Sequence, residues 1–441
     1  MKTFDLESLQ EKLHNATLFV FVGKVTRVIG LIIEVKGIRA SIGDICEVEI
    51  IGRKNRLTAE VVGFKDDLSM IMPLGELDGI APGCKVYAMG RKLTIRVGRE
   101  LLGNILNGLG EVINQDQVEL SGGCYSVHNE PPDPLKRKPI TEVLETGVKA
   151  IDALLTCGVG QRMGIFAGSG VGKSTLLGMM ARNSSADINV IALIGERGRE
   201  VLEFIDRDLG PEGLARSIVV VSTSDQPALL KVKAAQVATA VAEYFRDQGC
   251  NVLLMMDSIT RFAMAQREIG LAVGEPPTSR GYTPSVFAML PKLLERAGNT
   301  ETGSITGLYT ILVEGDDMNE PVADATRGIL DGHIVLSRKN AIKNHFPAID
   351  VLESISRLMP VLTSSQHQKT AAQLRDQLAL YTNSEDMITI GAYEKGHNPR
   401  LDEAVENYPA IIEFLKQNVT DTYTLPTTLS EMTAVFKTGV I

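Results

Sequence analysis

Phe166 to Leu177 read FAGSGVGKSTLL: three glycines and an alanine, then Lys173, Ser174 and Thr175, then leucines that open a helical run. A loop this bare reaches backbone angles that side chains forbid and lets a ligand touch main-chain N–H groups directly. The stretch fits the pattern G-x-x-x-x-G-K-[ST] with Ala167 in place of the first glycine, a change that is tolerated where that residue's backbone is in a common conformation. An apolar strand-like run precedes it and a helix start follows. The N–H groups of Gly168, Ser169, Gly170, Val171 and Gly172, with the positive end of the helix dipole, would therefore hold phosphates. Lys173 would reach the terminal phosphates, Ser174 would bind magnesium, and Thr175 belongs to the same binding stretch. An ordinary glycine turn would explain the composition, but not pattern and context together.

A triphosphate site needs more than a cradle, and in open parallel sheets the remaining groups come from the carboxyl ends of neighbouring strands. NVIALI runs into Gly195-Glu196-Arg197, and NVLLMM runs into Asp257, each placing a carboxylate directly after an apolar run. Asp257 is expected to hold magnesium through water, and Glu196 to orient or polarise the attacking water. Each could instead cap a following helix. The six histidines show no metal-ligand spacing, so His333 and His345 read as structural.

The elements that must carry these groups are visible as short apolar runs, QRMGIF, NVIALI, SIVVV, NVLLMM and LYTILV, separated by helical stretches. That alternation predicts an α/β domain with a parallel sheet covered by helices on both faces. Before it, from Phe19 to Met89, Val/Ile-rich runs punctuated by glycine (FVFVGKVTRVIGLIIEVKG, CEVEIIG, LTAEVVGF, KVYAMG) predict a small antiparallel β-barrel. Residues 4–14 place Phe4, Leu6, Leu9 and Leu13 roughly on one helical face. Four prolines in NEPPDPLKRKPI forbid continuous helix or sheet and mark a boundary. Beyond Pro360 the chain reads as mainly helical. The resulting division is an N-terminal amphipathic segment over 1–17, a β-barrel over 18–92, a nucleotide-binding domain with its lead-in linker over 93–360, and a C-terminal helical domain over 361–441.

The chain has 441 residues, 44% hydrophobic and 22% charged, and a net charge of -9. With both signs interspersed, no basic stripe advertises duplex DNA or anionic lipid. No uncharged apolar run reaches the ~18 residues of a membrane span, and MKTFDLESLQEKLHN lacks the apolar region of a signal peptide. Five cysteines stand singly, as expected in a reducing compartment. These features predict a cytoplasmic protein.

GERGREV, DSITRFAMAQREIGLAVGEPPTSRGYTPSVFAMLPKLLERAG and VEGDDMNEPVADATRGILDGHIVLSR resemble the type III protein-export ATPases, relatives of the rotary ATP synthase catalytic subunits. The resemblance runs from about Leu18 into the C-terminal helices, and GYTPSVF is more similar to the flagellar branch than to the virulence-injectisome branch. It implies a RecA-like P-loop domain that binds ATP and Mg²⁺, with Lys173 and Ser174 as phosphate and magnesium ligands and Glu196 as the catalytic carboxylate. Arg197, Glu200 and Arg261 match positions near the reacting phosphate, Arg197 on the catalytic side and Glu200 on the metal side. In HFPAIDVLESISR, Phe346 matches an aromatic that stacks on adenine, and Arg357 an arginine supplied to the adjacent subunit's site. Without the resemblance, Phe346 reads as core and Arg357 as a surface ion-pair residue.

A chain carrying both cradle and arginine finger implies a homohexamer. Its barrels would form a crown and its C-terminal helices would face export-gate membrane proteins at the cytoplasmic face of the inner membrane. Further partners implied are a stator-like regulatory protein on the first helix, a central stalk-like export protein, and chaperone-cargo complexes. A synthase catalytic subunit is disfavoured by the export-type stretch from Asp316 to Arg338. An RNA translocase would need a clustered basic and aromatic surface, so no nucleic-acid partner is expected.

Overall fold

The computed structural model of the protein describes residues 21–115, 118–313, 315 and 317–436. The helix expected over residues 4–14 lies outside them.

Six strands, β1 (Val22–Ile29), β2 (Ile32–Lys36), β3 (Asp44–Glu49), β4 (Arg56–Lys65), β5 (Leu68–Pro73) and β6 (Lys85–Lys92), close into a barrel in the order β1-β2-β5-β4-β3-β6. The short Val/Ile-rich runs fold this way because alternate residues fill a small interior. Val25, Val35, Val48, Val61, Ile71 and Val86 form one core, and closure leaves no unpaired strand edge.

The second unit is built on a mixed sheet of nine strands among the described residues. Its path uses β7 (Ile105–Leu106), β8 (Arg162–Ala167), β9 (Ile188–Glu196), β10 (Ser217–Thr223), β11 (Asn251–Asp257), β12 (Ser304–Leu312), β13 (Gly332–Leu336) and β14 (Ile349–Ser356). Their spatial order is β14-β13-β8-β12-β11-β9-β10-β7, and Gly298–Asn299 adds a short antiparallel pairing on β12. All five runs read as strands are strands of this sheet.

Two features of the sheet's edges go beyond the sequence reading. The sheet is parallel only in its body, because β14 returns antiparallel along β13 at one edge. The opposite edge is β7, parallel to β10 through Val219↔Ile105 and Val220↔Leu106, a strand from the lead-in part of the segment read over 93–360. Two residues are too short a strand to show a period. The proline stretch itself is irregular but anchored by side chains: Arg137 donates to the carbonyls of Ala297 (2.8 Å) and Glu295 (2.5 Å), and Lys138 to that of Glu301 (2.6 Å).

Continuous apolar strands arise because both faces are covered. On one face Met163, Ile165, Ile191, Leu193, Leu253, Met255 and Ile334 share a core with helices α1 (Lys149–Leu154) and α2 (Lys173–Asn183). The alternate residues Val190, Ala192, Val220, Leu254 and Met256 are fully buried on the other, where α3 (Ala228–Asp247) packs on β9, β10 and β11. Helix α4 (Ile259–Val273) follows β11. The C-terminal helices α5 (Ser365–Thr389), α6 (Pro399–Leu415) and α7 (Leu425–Ala434) extend the first core through Leu374, Ile411, Phe414 and Met432. Their starts carry local signals: Ser364 accepts from the His367 N–H, and Asn398, followed by Pro399, accepts from Leu401. No helix among the described residues is long and apolar enough to cross a membrane.

One buried ion pair ties α3 to the lead-in segment. Arg296 makes two 2.7 Å bonds to Glu243, whose side chain is 1% exposed; Arg296 also donates to the Val127 carbonyl, and Asn129 donates to Glu243. Removing the carboxylate leaves a guanidinium buried without its counter-charge, so Glu243→Ala is expected to cost about 3–5 kcal/mol. The denaturant midpoint of the purified protein checks this. A loss below about 1 kcal/mol, the value of an exposed pair, would show that water reaches the guanidinium.

Candidate functional site

The parallel register aligns the carboxyl ends of five strands along one edge. Ala167, the last residue of β8, pairs with Leu312 on one side and Leu336 on the other, and Leu193 of β9 pairs with Asp257 at the end of β11. The segments leaving these strands surround a cavity of about 860 Å³. Extended backbone at Ala167 explains why alanine can stand at the first position of the glycine loop: a Cβ there meets no strain. Glycine is required further on, since Gly170 (φ 77°) and Gly172 (φ 87°) are left-handed and Gly172 is the residue before α2. The loop then delivers its N–H groups and the α2 N-terminus to the cavity.

Of the residues singled out in the sequence, Ala167, Gly168, Ser169, Gly170, Gly172, Lys173, Ser174, Thr175, Glu196, Arg197, Glu200 and Arg261 line the cavity. Val171 is 2% exposed and packs into the core instead. Asp257 is also withdrawn, with a side chain 4% exposed, behind Lys173. It accepts from Lys173 Nζ at 2.5 Å and from Thr310 Oγ1 at 2.7 Å. Lys173 Nζ also lies 3.5 Å from Glu196 Oε1. Burial works against the charge of this ammonium, but Asp257 and Glu196 outweigh it and hold the Lys173 pKa above its ordinary value.

Glu196 has the opposite balance. Burial, then the Asp257 carboxylate, and a hydrogen bond with Glu200 push its pKa up to about 7, although Lys173 pulls the other way. It becomes a carboxylate only as pH rises through that value, and over the same rise, from the ordinary carboxylate range upward, it withdraws stability from the fold. A group that titrates near neutrality inside a polar cavity is suited to accept a proton from, or orient, a water molecule. Two cations flank it. Arg197 is exposed and pairs with Glu200 at 3.4 Å. The stem of Arg261 is laid over Gly195, whose φ is +71° and where a Cβ would stand 3.1 Å from the arginine's own Cβ. The glycine before Glu196 therefore gives Arg261 its path.

Phe346 is not core. It is 40% exposed, and its ring comes within 3.6 Å of where a Gly172 Cβ would be, against the glycine loop. Arg357 follows β14, is exposed, and is absent from the cavity lining of its own chain. His333 stands edge-on to Phe166 and contacts the Glu353 carbonyl, and His345 is buried.

The cavity also holds residues that the motifs did not single out: Thr260, Glu320 and Arg338 line it, and Thr310 stands behind it on Asp257. Arg338 comes two residues after the end of β13, whose partner β8 carries the loop. Its signal was the short apolar run HIVL followed by a cation at the same kind of strand end that exposed Glu196.

Three family models match the chain in order: the ATP synthase alpha/beta family beta-barrel domain over residues 25–90, that family's nucleotide-binding domain over 147–356, and the T3SS EscN ATPase C-terminal domain over 363–434. The chain is 54% identical to the flagellum-specific ATP synthase of Bacillus subtilis (strain 168), with 99% of each chain covered. It is 50% identical to the type 3 secretion system ATPase of Xanthomonas euvesicatoria, over 94% of this chain and 93% of the relative. Its fold is similar to that of the assembled ATPase EscN from the enteropathogenic E. coli type III secretion system, solved in complex with its central stalk EscO. The TM-score is 0.87 at 46% identity, covering 94% of this chain and all of that one.

Proposed function

Since the chain belongs to the type III protein-export ATPase family, whose members include flagellum-specific ATP synthases and type 3 secretion system ATPases, we propose that it hydrolyses ATP as a homohexamer serving the export of flagellar proteins. The single observation that carries the chemistry is the convergence, on one sheet edge, of a glycine loop with Lys173 and of a carboxylate, Glu196, that titrates at about 7.

In this reading the loop N–H groups and the α2 N-terminus cradle the phosphates, and Lys173 meets the terminal ones. Glu196 orients the attacking water and takes up its proton. Arg197 and Arg261 stand on the charge that develops on the transferred group. Phe346 stacks on the adenine. Arg357 serves the neighbouring subunit.

The residues present fit magnesium. Ser174, Glu200 and Asp257 are hard oxygen donors, and no cluster of three His, Cys, Asp or Glu ligands exists among the described residues, as expected of an ion that takes one or two protein oxygens and completes its shell with phosphates and water. Ser174 and Glu200 would hold it from the cavity wall, with Asp257 reaching it through water. When bound it neutralises charge on the phosphate oxygens.

The central stalk of EscN supports a stalk-like partner here, and the family supports work at the cytoplasmic face of the inner membrane beside the export gate, with a stator-like regulator and chaperone-cargo complexes. Identity to flagellar relatives such as those of Bacillus subtilis and Treponema pallidum, at 54% and 51%, favours flagellar cargo, while 50% identity to a secretion-system ATPase keeps virulence export as the second reading. Deleting the gene is expected to abolish swimming motility, and the purified protein to release phosphate only with ATP and magnesium. A deletion strain that swims normally but no longer secretes effectors would transfer the proposal to the injectisome.

A further inference from the structure

Gln417 follows α6 by two residues, is 7% exposed, and ties three parts of the chain together. Its main-chain N–H donates to the Phe346 carbonyl at 3.0 Å. Its side-chain Oε1 accepts from the Lys149 N–H at 2.9 Å, and its Nε2 donates to the carbonyls of Gly147 (2.8 Å) and Asp421 (3.1 Å). Both amide donors and the acceptor are therefore committed. The contact with Lys149 is a cap supplied from 268 residues away, because Val148, the residue before α1, makes no side-chain cap bond and the first N–H groups of a helix have no partner within it.

The same junction is closed on its far side. The Lys149 ammonium, 7% exposed, lies 3.2 Å from Glu431 of α7 and 4.5 Å from the Tyr423 ring centroid, over its face. An ammonium so placed gains both an ion pair and a cation–π contact.

We propose that Gln417 is the positioning residue for Phe346, setting the platform on which the nucleotide base rests and thereby coupling base recognition to the C-terminal helices. The proposal rests on the reading that Phe346 stacks on the base. The ring itself is 40% exposed beside the glycine loop, so its placement depends on the backbone beneath it. Among the described residues the Phe346 carbonyl accepts from the Gln417 N–H alone, and that N–H is held in place by the side chain's bonds to Lys149, Gly147 and Asp421. Loosening the amide blurs the ring and leaves the phosphate cradle intact.

The test compares two ligands that share phosphates and differ in a base. With the full-length protein and magnesium, calorimetry measures binding of ATP and of inorganic tripolyphosphate to wild type, Gln417→Leu, Gln417→Glu and Phe346→Ala. Base stacking on an aromatic is strong enough that Gln417→Leu is expected to weaken ATP about tenfold and to raise its KM more than it lowers kcat. Tripolyphosphate should bind within about twofold of wild type. Gln417→Glu keeps the acceptor for Lys149 while opposing the two carbonyls, and is expected to fall between. Equal weakening of both ligands in a variant that still binds them measurably, or no weakening of either, overturns the proposal. Should the leucine variant bind neither ligand, the glutamate variant decides by the same comparison, and failure of both to fold assigns Gln417 a purely structural role. If Phe346→Ala leaves ATP binding unchanged, the reading of Phe346 fails; if Phe346→Ala weakens ATP selectively and the Gln417 variants do not, only the present inference fails.

Discussion

Glu196→Gln is expected to bind ATP with near-normal affinity and to hydrolyse it ~10² to 10⁴-fold more slowly, the range associated with losing a positioned general base. The groups that would hold the nucleotide are the loop N–H groups and Lys173, and Lys173 keeps Asp257 at 2.5 Å when the weaker 3.5 Å contact to Glu196 is altered. The amide preserves shape and removes both the negative charge and the capacity to take a proton. The pH profile supplies an independent check. Because the Glu196 carboxyl is pushed up to about 7, kcat/KM of the wild type should climb as pH rises through that value, as the free enzyme acquires its base, and that limb should vanish in the variant. A stalled enzyme also retains the ligand proposed to bridge its subunits, so mass photometry with ATP and magnesium should find it longer in the hexameric state. Turnover close to wild type, or a variant that binds no ATP, would demote Glu196 to a strand-end residue and move the role to Glu200, its hydrogen-bonded neighbour.

The second large effect concerns Arg357. It is exposed after β14 and takes no part in its own chain's cavity, the arrangement expected of a group that completes a neighbour's site. Arg357→Ala should bind ATP and hydrolyse it on the order of 10³-fold or more slowly, the scale on which such fingers act. Lys173→Ala should fail differently: without the ammonium on the terminal phosphates it loses most nucleotide affinity and all useful hydrolysis. Mixing the two inactive proteins discriminates between trans and cis action. In mixed rings some interfaces pair an intact loop with an intact finger, and partial phosphate release should return. If rings demonstrated to be mixed show no recovery, Arg357 acts within its own chain and the subunit-bridging argument collapses.

Chemistry that depends on contiguous residues was legible before any fold was known. The run from Ala167 to Thr175 specifies its own geometry, because left-handed angles at Gly170 and Gly172 and the helix that begins at Lys173 are local consequences of local residue types. The apolar runs behind it were legible for a related reason: strands buried on both faces must be apolar throughout, so β8 to β12 announce themselves. The two-residue β7 did not, since nothing so short carries a period. The antiparallel return of β14 was hidden too, because direction in a sheet is chosen by connections and packing, not by composition.

What only the tertiary structure decided is how these pieces modify one another. The sequence set Glu196 and Asp257 each at the end of a strand; the order of those strands placed them both on Lys173, withdrew Asp257 behind it, and raised Glu196 to about 7. It likewise brought Phe346 to the glycine loop, Arg338 to the cavity, and Gln417 to Phe346 from the end of a helix remote in sequence. The physical reason is range. Backbone angles, caps and a phosphate cradle are settled by neighbours within one turn, whereas desolvation and Coulomb interactions depend on which distant segments exclude water from the same few ångströms. By itself the sequence determined that this protein can hold a triphosphate. Burial at the sheet edge decided which carboxylate titrates near neutrality, and is therefore suited to act as the base.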